Sequence, residues 1–200
     1  NTAVGTFALD ANTTANNNTG VGYAALGANT TGTENVSVGY VALDDNTTAS
    51  YNTALGSQAL ANTSTGGANT GVGRAAMAIN TTGFNNVAVG YNSLYFNTTG
   101  YQNVAIGRDA LGSNTTAGDN TAVGTDCLLS LVDQANNTGV GVSCLRNCTG
   151  ANNSALGHQA LNNLQGGGTN TAIGVNAGGD VTTGSFNTFI GSSAGTSNSP

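Results

Sequence analysis

The chain has 200 residues, only 6% of them charged, and its formal net charge is −6. Globular domains usually contain about 25% charged residues, and three Arg without any Lys cannot form the basic patch that binds nucleic acid. No apolar run approaches the roughly 18 residues of a membrane-spanning helix, so we predict neither nucleic-acid binding nor membrane insertion.

One sequence unit accounts for nearly the whole chain. It reads approximately N-T-A-V-G-x-x-A-L-x-x-N-T-T-G-x-x, and its positions are numbered 1 to 17. The copies begin at Asn1, Asn18, Asn35, Asn52, Asn69, Asn86, Asn103, Asn120, Asn137, Asn153, Asn170 and Asn187. All spacings are 17 residues except the 16 between Asn137 and Asn153. This pattern predicts a single repeat domain over residues 1–200.

The period and the composition of the unit predict its fold. A unit of 17 residues is too short for a helix–turn–helix repeat, and recurrent Gly and Asn-Thr-Thr disfavour a helix. The T-A-V-G segment suits a short strand, whereas Gly and Asn mark bends. We therefore predict an all-β parallel β-solenoid, or β-roll, of about 12 coils of 17 residues. Two or three short strands are expected in each coil, and coils spaced about 4.8 Å apart give a rod of about 55 Å.

Each constant position has an expected use. Position 4 is always aliphatic and position 9 is Leu or Met in ten copies, which predicts two apolar core columns. Position 8 is always a small residue, as a narrow coil requires. The Gly at position 5 is expected to adopt a backbone conformation that other residues rarely adopt. The twelve Asn residues at position 1 are expected to stack as a ladder of side-chain amides.

The repeat also resembles known families. Residues 86–91 (N-V-A-V-G-Y) and 103–107 (N-V-A-I-G) are similar to repeats of phage and algal-virus tail-fibre-like proteins. They also resemble the shorter repeats in the heads of trimeric autotransporter adhesins. The resemblance implies a left-handed parallel β-roll, often trimeric, in an extracellular fibre or adhesin.

The Asn-Thr-Thr turns also form N-glycosylation sequons. The candidate glycan carriers are Asn12, Asn29, Asn46, Asn62, Asn80, Asn97, Asn114 and Asn147. In one interpretation, Asn and Thr are good turn formers and the sequons are incidental. In the other, a sugar coat keeps this weakly charged rod in solution, which charge does in most proteins.

Cysteines and threonines carry two further hypotheses. Cys127 and Cys144 share position 8 in consecutive copies, so they are a candidate disulfide. Cys144 and Cys148 are a competing pair. The alternative is that Cys127 and Cys144 are buried free thiols. Thr rows beside the Asn turns, from Thr13 to Thr116, allow an ice-binding β-solenoid as an alternative function.

Position 6 is variable and is expected to point outward. Tyr23, Tyr40 and Tyr91 occupy it, as do Arg74, Arg108 and His158 in other copies. Such a column is either simply solvated or contacts sugars through aromatic stacking.

No catalytic residue, cofactor site or metal site is predicted. His158 is the only histidine, and the only adjacent carboxylates are Asp44 and Asp45. We therefore expect no enzymatic activity.

These patterns together favour a structural segment of an extracellular, cell-surface or virion-surface fibre or adhesin. Its expected partners are copies of itself, as a trimer or by end-to-end stacking, together with cell-surface glycans. The alternatives are a subunit of a self-assembling head-to-tail filament and the ice-binding solenoid.

Overall fold

A computed structural model describes residues 1–197 and has one short strand in each copy of the repeat. The strands are β1 (Thr2–Val4), β2 (Thr19–Val21), β3 (Val36–Val38), β4 (Thr53–Leu55), β5 (Thr70–Val72), β6 (Val87–Val89), β7 (Val104–Ile106), β8 (Thr121–Val123), β9 (Thr138–Val140), β10 (Ser154–Leu156), β11 (Thr171–Ile173) and β12 (Thr188–Ile190). They form one 12-stranded parallel sheet in sequence order, so the predicted β-solenoid is confirmed. No helix in the described part of the chain is long and apolar enough to cross a membrane.

The remainder of each coil consists of turns, and the expected second and third strands do not form. Backbone hydrogen bonds nevertheless join these turns to both neighbouring coils. The N–H of Leu26 donates to the carbonyl of Ala42 in the next coil at 3.0 Å, and that of Ala24 donates to Thr6 in the preceding coil at 2.9 Å. The turns use left-handed backbone conformations at non-glycine residues, for example φ of 55° at Leu26. Stacking between coils therefore satisfies backbone groups that the short strands leave unpaired.

The core contains positions 3, 8 and 9 rather than positions 4 and 9. Ala54, Ala59 and Leu60 in one coil are all fully buried, and the equivalent residues of the other central coils join the same cluster. The aliphatic residue at position 4 points outward, so the prediction that it forms a core column was wrong. Successive residues of a strand point to opposite faces. The narrow coil admits the small residue at position 3 and turns the larger residues at positions 2 and 4 toward the outside.

The Asn residues at position 1 form a continuous ladder through the interior. Each side-chain Oδ1 accepts a hydrogen bond from the backbone N–H of the next Asn, as between Asn86 and Asn103 at 2.9 Å. Most of the Nδ2 groups also donate across their own coil, as Asn103 does to the carbonyl of Ala117 at 2.8 Å. The main partners are thus backbone groups, and direct amide-to-amide bonds such as Asn103 to Asn86 at 3.2 Å add to them. One Asn side chain therefore links two neighbouring coils and also joins positions 1 and 15 of its own coil.

The final coils keep the same register although position 9 becomes Gly. Gly178 and Gly195 leave space that Phe189 fills from position 3, where the other copies have Ala, Gly or Ser. A Cβ added to Gly178 would lie 2.8 Å from the Phe189 ring. The shortened ninth copy is accommodated as well, because Ser154 of β10 pairs with Thr138 of β9 in register. The rod thus continues through all three irregular copies.

Candidate functional site

The outer face of the sheet carries an unbroken row of aliphatic side chains, the aliphatic stripe. The stripe consists of the position-4 residues Val4, Val21, Val38, Leu55, Val72, Val89, Ile106, Val123, Val140, Leu156, Ile173 and Ile190. Each of these side chains is exposed or half-buried, and the exposed fraction reaches 68% at Ile190. Exposed aliphatic residues are ordinary singly, but a contiguous row marks an interaction surface.

A second row runs beside the aliphatic stripe at position 2, where Thr predominates and Val or Ser replaces it in four copies. Between the two rows, over β9–β11, lies an apolar groove of about 240 Å³. None of the twelve strands contains a charged residue. The outer face of the sheet therefore offers hydrophobic contact without ion pairing.

Most predicted glycan carriers lie inside the rod. Asn29, Asn46, Asn80, Asn97 and Asn114 are fully buried at position 12. Their Nδ2 atoms, to which a glycan would be attached, donate instead to the carbonyl three residues later, as Asn29 does to Gly32 at 3.0 Å. The folded coil has no room for a sugar at these five positions, so their candidacy as glycan carriers is incompatible with the structure.

The other three predicted carriers have some access to solvent. Asn62 is exposed because it lies at position 11, one residue before the buried column, and Asn12 and Asn147 are half-buried. Glycosylation at these three residues stays a prediction.

Thr63 interrupts the buried column of Asn residues at position 12. Thr63→Asn is therefore expected to raise the free energy of unfolding by about 1 kcal/mol. The side-chain Oδ1 of Asn46, in the adjacent coil, is buried without a hydrogen-bond partner among the described residues. A new Asn would donate to it, as Asn46 itself donates to Asn29 at 2.7 Å. Chemical denaturation provides the measurement, with Thr65→Asn in the exposed part of the same turn as a near-neutral control. A destabilised Thr63→Asn variant would contradict this account of the column.

The three cysteines are buried free thiols, and neither expected disulfide is formed. Stacking at position 8 does bring Cys127 and Cys144 together in one buried cluster. The neighbouring Cys144 thiol, with burial, raises the pKa of Cys127. The Cys144 thiol in turn donates to the carbonyl of Ala155 at 3.4 Å. Burial likewise raises the pKa of Cys148. Because the thiolate is the reactive form of cysteine, Cys127 and Cys148 are poorly suited to nucleophilic chemistry.

The threonine row proposed for ice binding lies in turns, and its first hydroxyl in each turn is already used. Thr30 donates to the carbonyl of Thr47 at 2.9 Å, and Thr98 donates to that of Thr115 at 3.0 Å. These hydroxyls tie neighbouring coils together and are not free to order a water layer as donors. The geometry of this row therefore gives the ice-binding alternative no support.

The position-6 column points outward, as the sequence predicts, and its aromatic members form short stacks. The rings of Tyr23 and Tyr40 stack with centroids 5.5 Å apart, and Phe7, from position 7 of the first copy, meets Tyr23 edge-on at 5.7 Å. Further along the rod, the guanidinium carbon of Arg74 lies 5.5 Å from the centre of the Tyr91 ring. His158 is exposed in the same column.

Charged residues are sparse along the rod and partly pair with one another. Arg108 lies 3.3 Å from Asp126, and Arg146 lies 3.7 Å from the same carboxylate. Among residues 1–197, no group of three or more His, Cys, Asp or Glu residues is placed to hold a metal ion. The lack of catalytic activity stays a prediction.

Known proteins add no further constraint on function. No protein-family model, curated protein or solved structure matches this chain.

Proposed function

We propose that this chain is a stiff structural segment of an extracellular or virion-surface fibre and that it associates side by side with further copies of itself. The observation that carries this proposal is the aliphatic stripe on the uncharged outer face of the sheet. A contiguous apolar surface of this kind is typical of a site where a partner binds.

Stiffness is supported by the number of interactions that run along the rod. Adjacent strands pair in register from β1 to β12, and the Asn ladder connects the same coils through the interior. The backbone bonds between turns add a third set of links. Bending would have to stretch all three sets together, so the solenoid is suited to act as a spacer or shaft.

A second copy of the chain is the partner that best fits the aliphatic stripe. Each copy carries the same side chains at the same spacing of about 4.8 Å, so two parallel rods can match along their whole length. A sheet face of about 55 Å by 10 Å on each copy would bury roughly 1,000 Å² in a pair, which reaches the lower range of specific interfaces. The absence of charge in the strands removes any repulsion between identical faces.

Ile106→Glu at the centre of the aliphatic stripe is expected to weaken self-association at least about a hundredfold. A buried and unpaired carboxylate costs several kcal/mol, and 2.8 kcal/mol corresponds to a hundredfold change. Light scattering coupled to size exclusion measures the mass, and circular dichroism verifies that the variant remains folded.

The matched control is Thr99→Glu, which adds the same charge at an exposed turn away from the sheet. It should assemble like the unmodified chain. A natural chain that stays monomeric at all concentrations, or equal loss of assembly in both variants, would contradict the proposal. Electron micrographs of the same samples distinguish side-by-side bundles from head-to-tail filaments by particle width and length.

A further inference from the structure

A cavity of about 440 Å³ opens on a different face of the rod, across the coils that begin at Asn52, Asn69 and Asn86. Its volume falls in the range of about 300–1,000 Å³ that small-molecule sites occupy. The cavity exists because Ala61, Ala75 and Ala78 line it with small side chains. Larger residues follow in the next coil, where Tyr91 and Tyr95 also line the cavity.

Arg74 supplies the only formal charge among the residues that line this cavity. Its Nη1 donates a hydrogen bond to the Tyr91 hydroxyl at 3.3 Å, and its guanidinium lies over the Tyr91 ring. These two contacts hold the side chain in place and use few of its five N–H donors. The remaining donors are available to a ligand.

Arg74 also differs from the other two arginines of the chain. Arg108 and Arg146 both pair with Asp126. Within residues 1–197, Arg74 forms no ion pair, although the chain carries nine acidic residues. None of the residues that line the cavity is acidic. An anion in the cavity would therefore meet an uncompensated guanidinium and no lining carboxylate.

Three amide side chains complete the lining, from Gln58, Asn62 and Asn92. Gln58 and Asn62 are exposed and Asn92 is half-buried, and each offers both a donor and an acceptor. The cavity thus combines one cation, two aromatic rings and three amides.

We propose that this cavity binds an acidic sugar, meaning a sugar residue that carries a carboxylate. The guanidinium fork of Arg74 matches a carboxylate in two parallel hydrogen bonds. The rings of Tyr91 and Tyr95 suit the apolar face of a sugar ring, and the three amides suit its hydroxyl groups. This inference deepens the proposed function, because it names a ligand class for the surface that the fibre displays.

The composition of the lining separates an acidic sugar from a simple carboxylate. Acetate would engage Arg74 alone and would leave the aromatic rings and the amides unused. A neutral sugar would use the rings and the amides but would not bind the guanidinium. Only a ligand that combines both features uses the whole cavity.

The test is calorimetric titration of the full chain with a glucuronic-acid-terminated disaccharide, its neutral glucose counterpart and acetate. We expect the acidic sugar to bind at least tenfold more tightly than either of the others. Arg74→Gln should weaken binding of the acidic sugar at least tenfold, and Tyr95→Ala should weaken both sugars.

Arg108→Gln is the matched control, because it removes an arginine from the same repeat position, two coils away and outside the cavity. It should bind the acidic sugar like the unmodified chain. Absence of binding, equal binding of the acidic sugar and acetate, equal binding of the two sugars, or an unaffected Arg74→Gln variant would each overturn the proposal.

Light scattering on the same samples reports self-association independently. If the sugar result is negative while assembly persists, the cavity proposal alone fails. If binding is observed with a monomeric chain, the proposed assembly alone fails.

Discussion

Gly107→Ala is expected to destabilise the rod by more than about 4 kcal/mol, a loss that few single substitutions reach. Gly107 lies at position 5 with φ of +131°, a conformation that residues with a Cβ rarely adopt. An added Cβ would also lie 2.6 Å from the carbonyl carbon of Gly124 in the next coil. That coil cannot move away without breaking the bond between the Gly124 N–H and the carbonyl of Ile106, at 2.7 Å. Chemical denaturation followed by circular dichroism measures the loss.

Two control variants separate backbone strain from steric overlap. Gly166 has φ of +135° but no atom within 4 Å of an added Cβ, so Gly166→Ala should cost only about 1–3 kcal/mol from strain. Gly112 has no positive φ, but a new Cβ there would lie 3.1 Å from the carbonyl oxygen of Asp109. Gly112→Ala should therefore destabilise the rod less than Gly107→Ala does. Equal effects at Gly107 and Gly166 would show that contact between coils at position 5 contributes nothing.

Asn103→Ala is expected to lower the free energy of unfolding by about 3 kcal/mol or more, which is the largest expected loss after that of Gly107→Ala. It removes the acceptor of the Asn120 backbone N–H, now bonded at 3.0 Å, and leaves that group buried without a partner. It also removes the donors to Ala117 and Asn86. An unsatisfied buried polar group alone costs about 1–3 kcal/mol, and the lost side-chain volume adds a cavity. The free energy of unfolding from denaturation is again the measured quantity.

Asn1→Ala provides the comparison at the first rung of the same ladder. Asn1 is exposed, so water can replace its bond to the Asn18 N–H. Its replacement should cost less than about 1 kcal/mol. If Asn1→Ala and Asn103→Ala were equally mild, the ladder would be a consequence of stacking and not a cause of stability.

Much of the fold followed from the spacing of a few residues. The 17-residue period, the strand after each Asn, the small position 8 and the buried Leu at position 9 can all be recognised without coordinates. They are local properties of one unit, and repetition shows each of them in ten or more copies when Met77 is counted with the Leu residues. Stacking of identical coils then follows because one coil cannot bury its own apolar side chains.

The sequence pattern could not show which side chains of each strand point into the coil. Alternation means that every second side chain points to the same face, but it does not say which set points inward. A shift of one residue moves every side chain to the opposite face. Hydrophobicity favoured an inward Val or Ile at position 4. The interior of the closed coil has space only for Ala, Gly or Ser at position 3 in most copies, and that space is known only once the coil has closed.

The same reason explains the buried sequons and the cavity around Arg74. Asn-Thr-Thr is typical of an exposed turn, yet Asn29 lies inside because the carbonyl of Gly32 that it binds faces the interior. The cavity arises where small residues in two coils meet Tyr91 and Tyr95 of a third.

The sequence by itself determined the repeat, the strand positions and the Leu core, since these depend on residues within one unit. Only the tertiary structure decided which faces are exposed and which side chains meet across coils. Those properties depend on residues about 17 apart, which become neighbours only when coils stack along the rod.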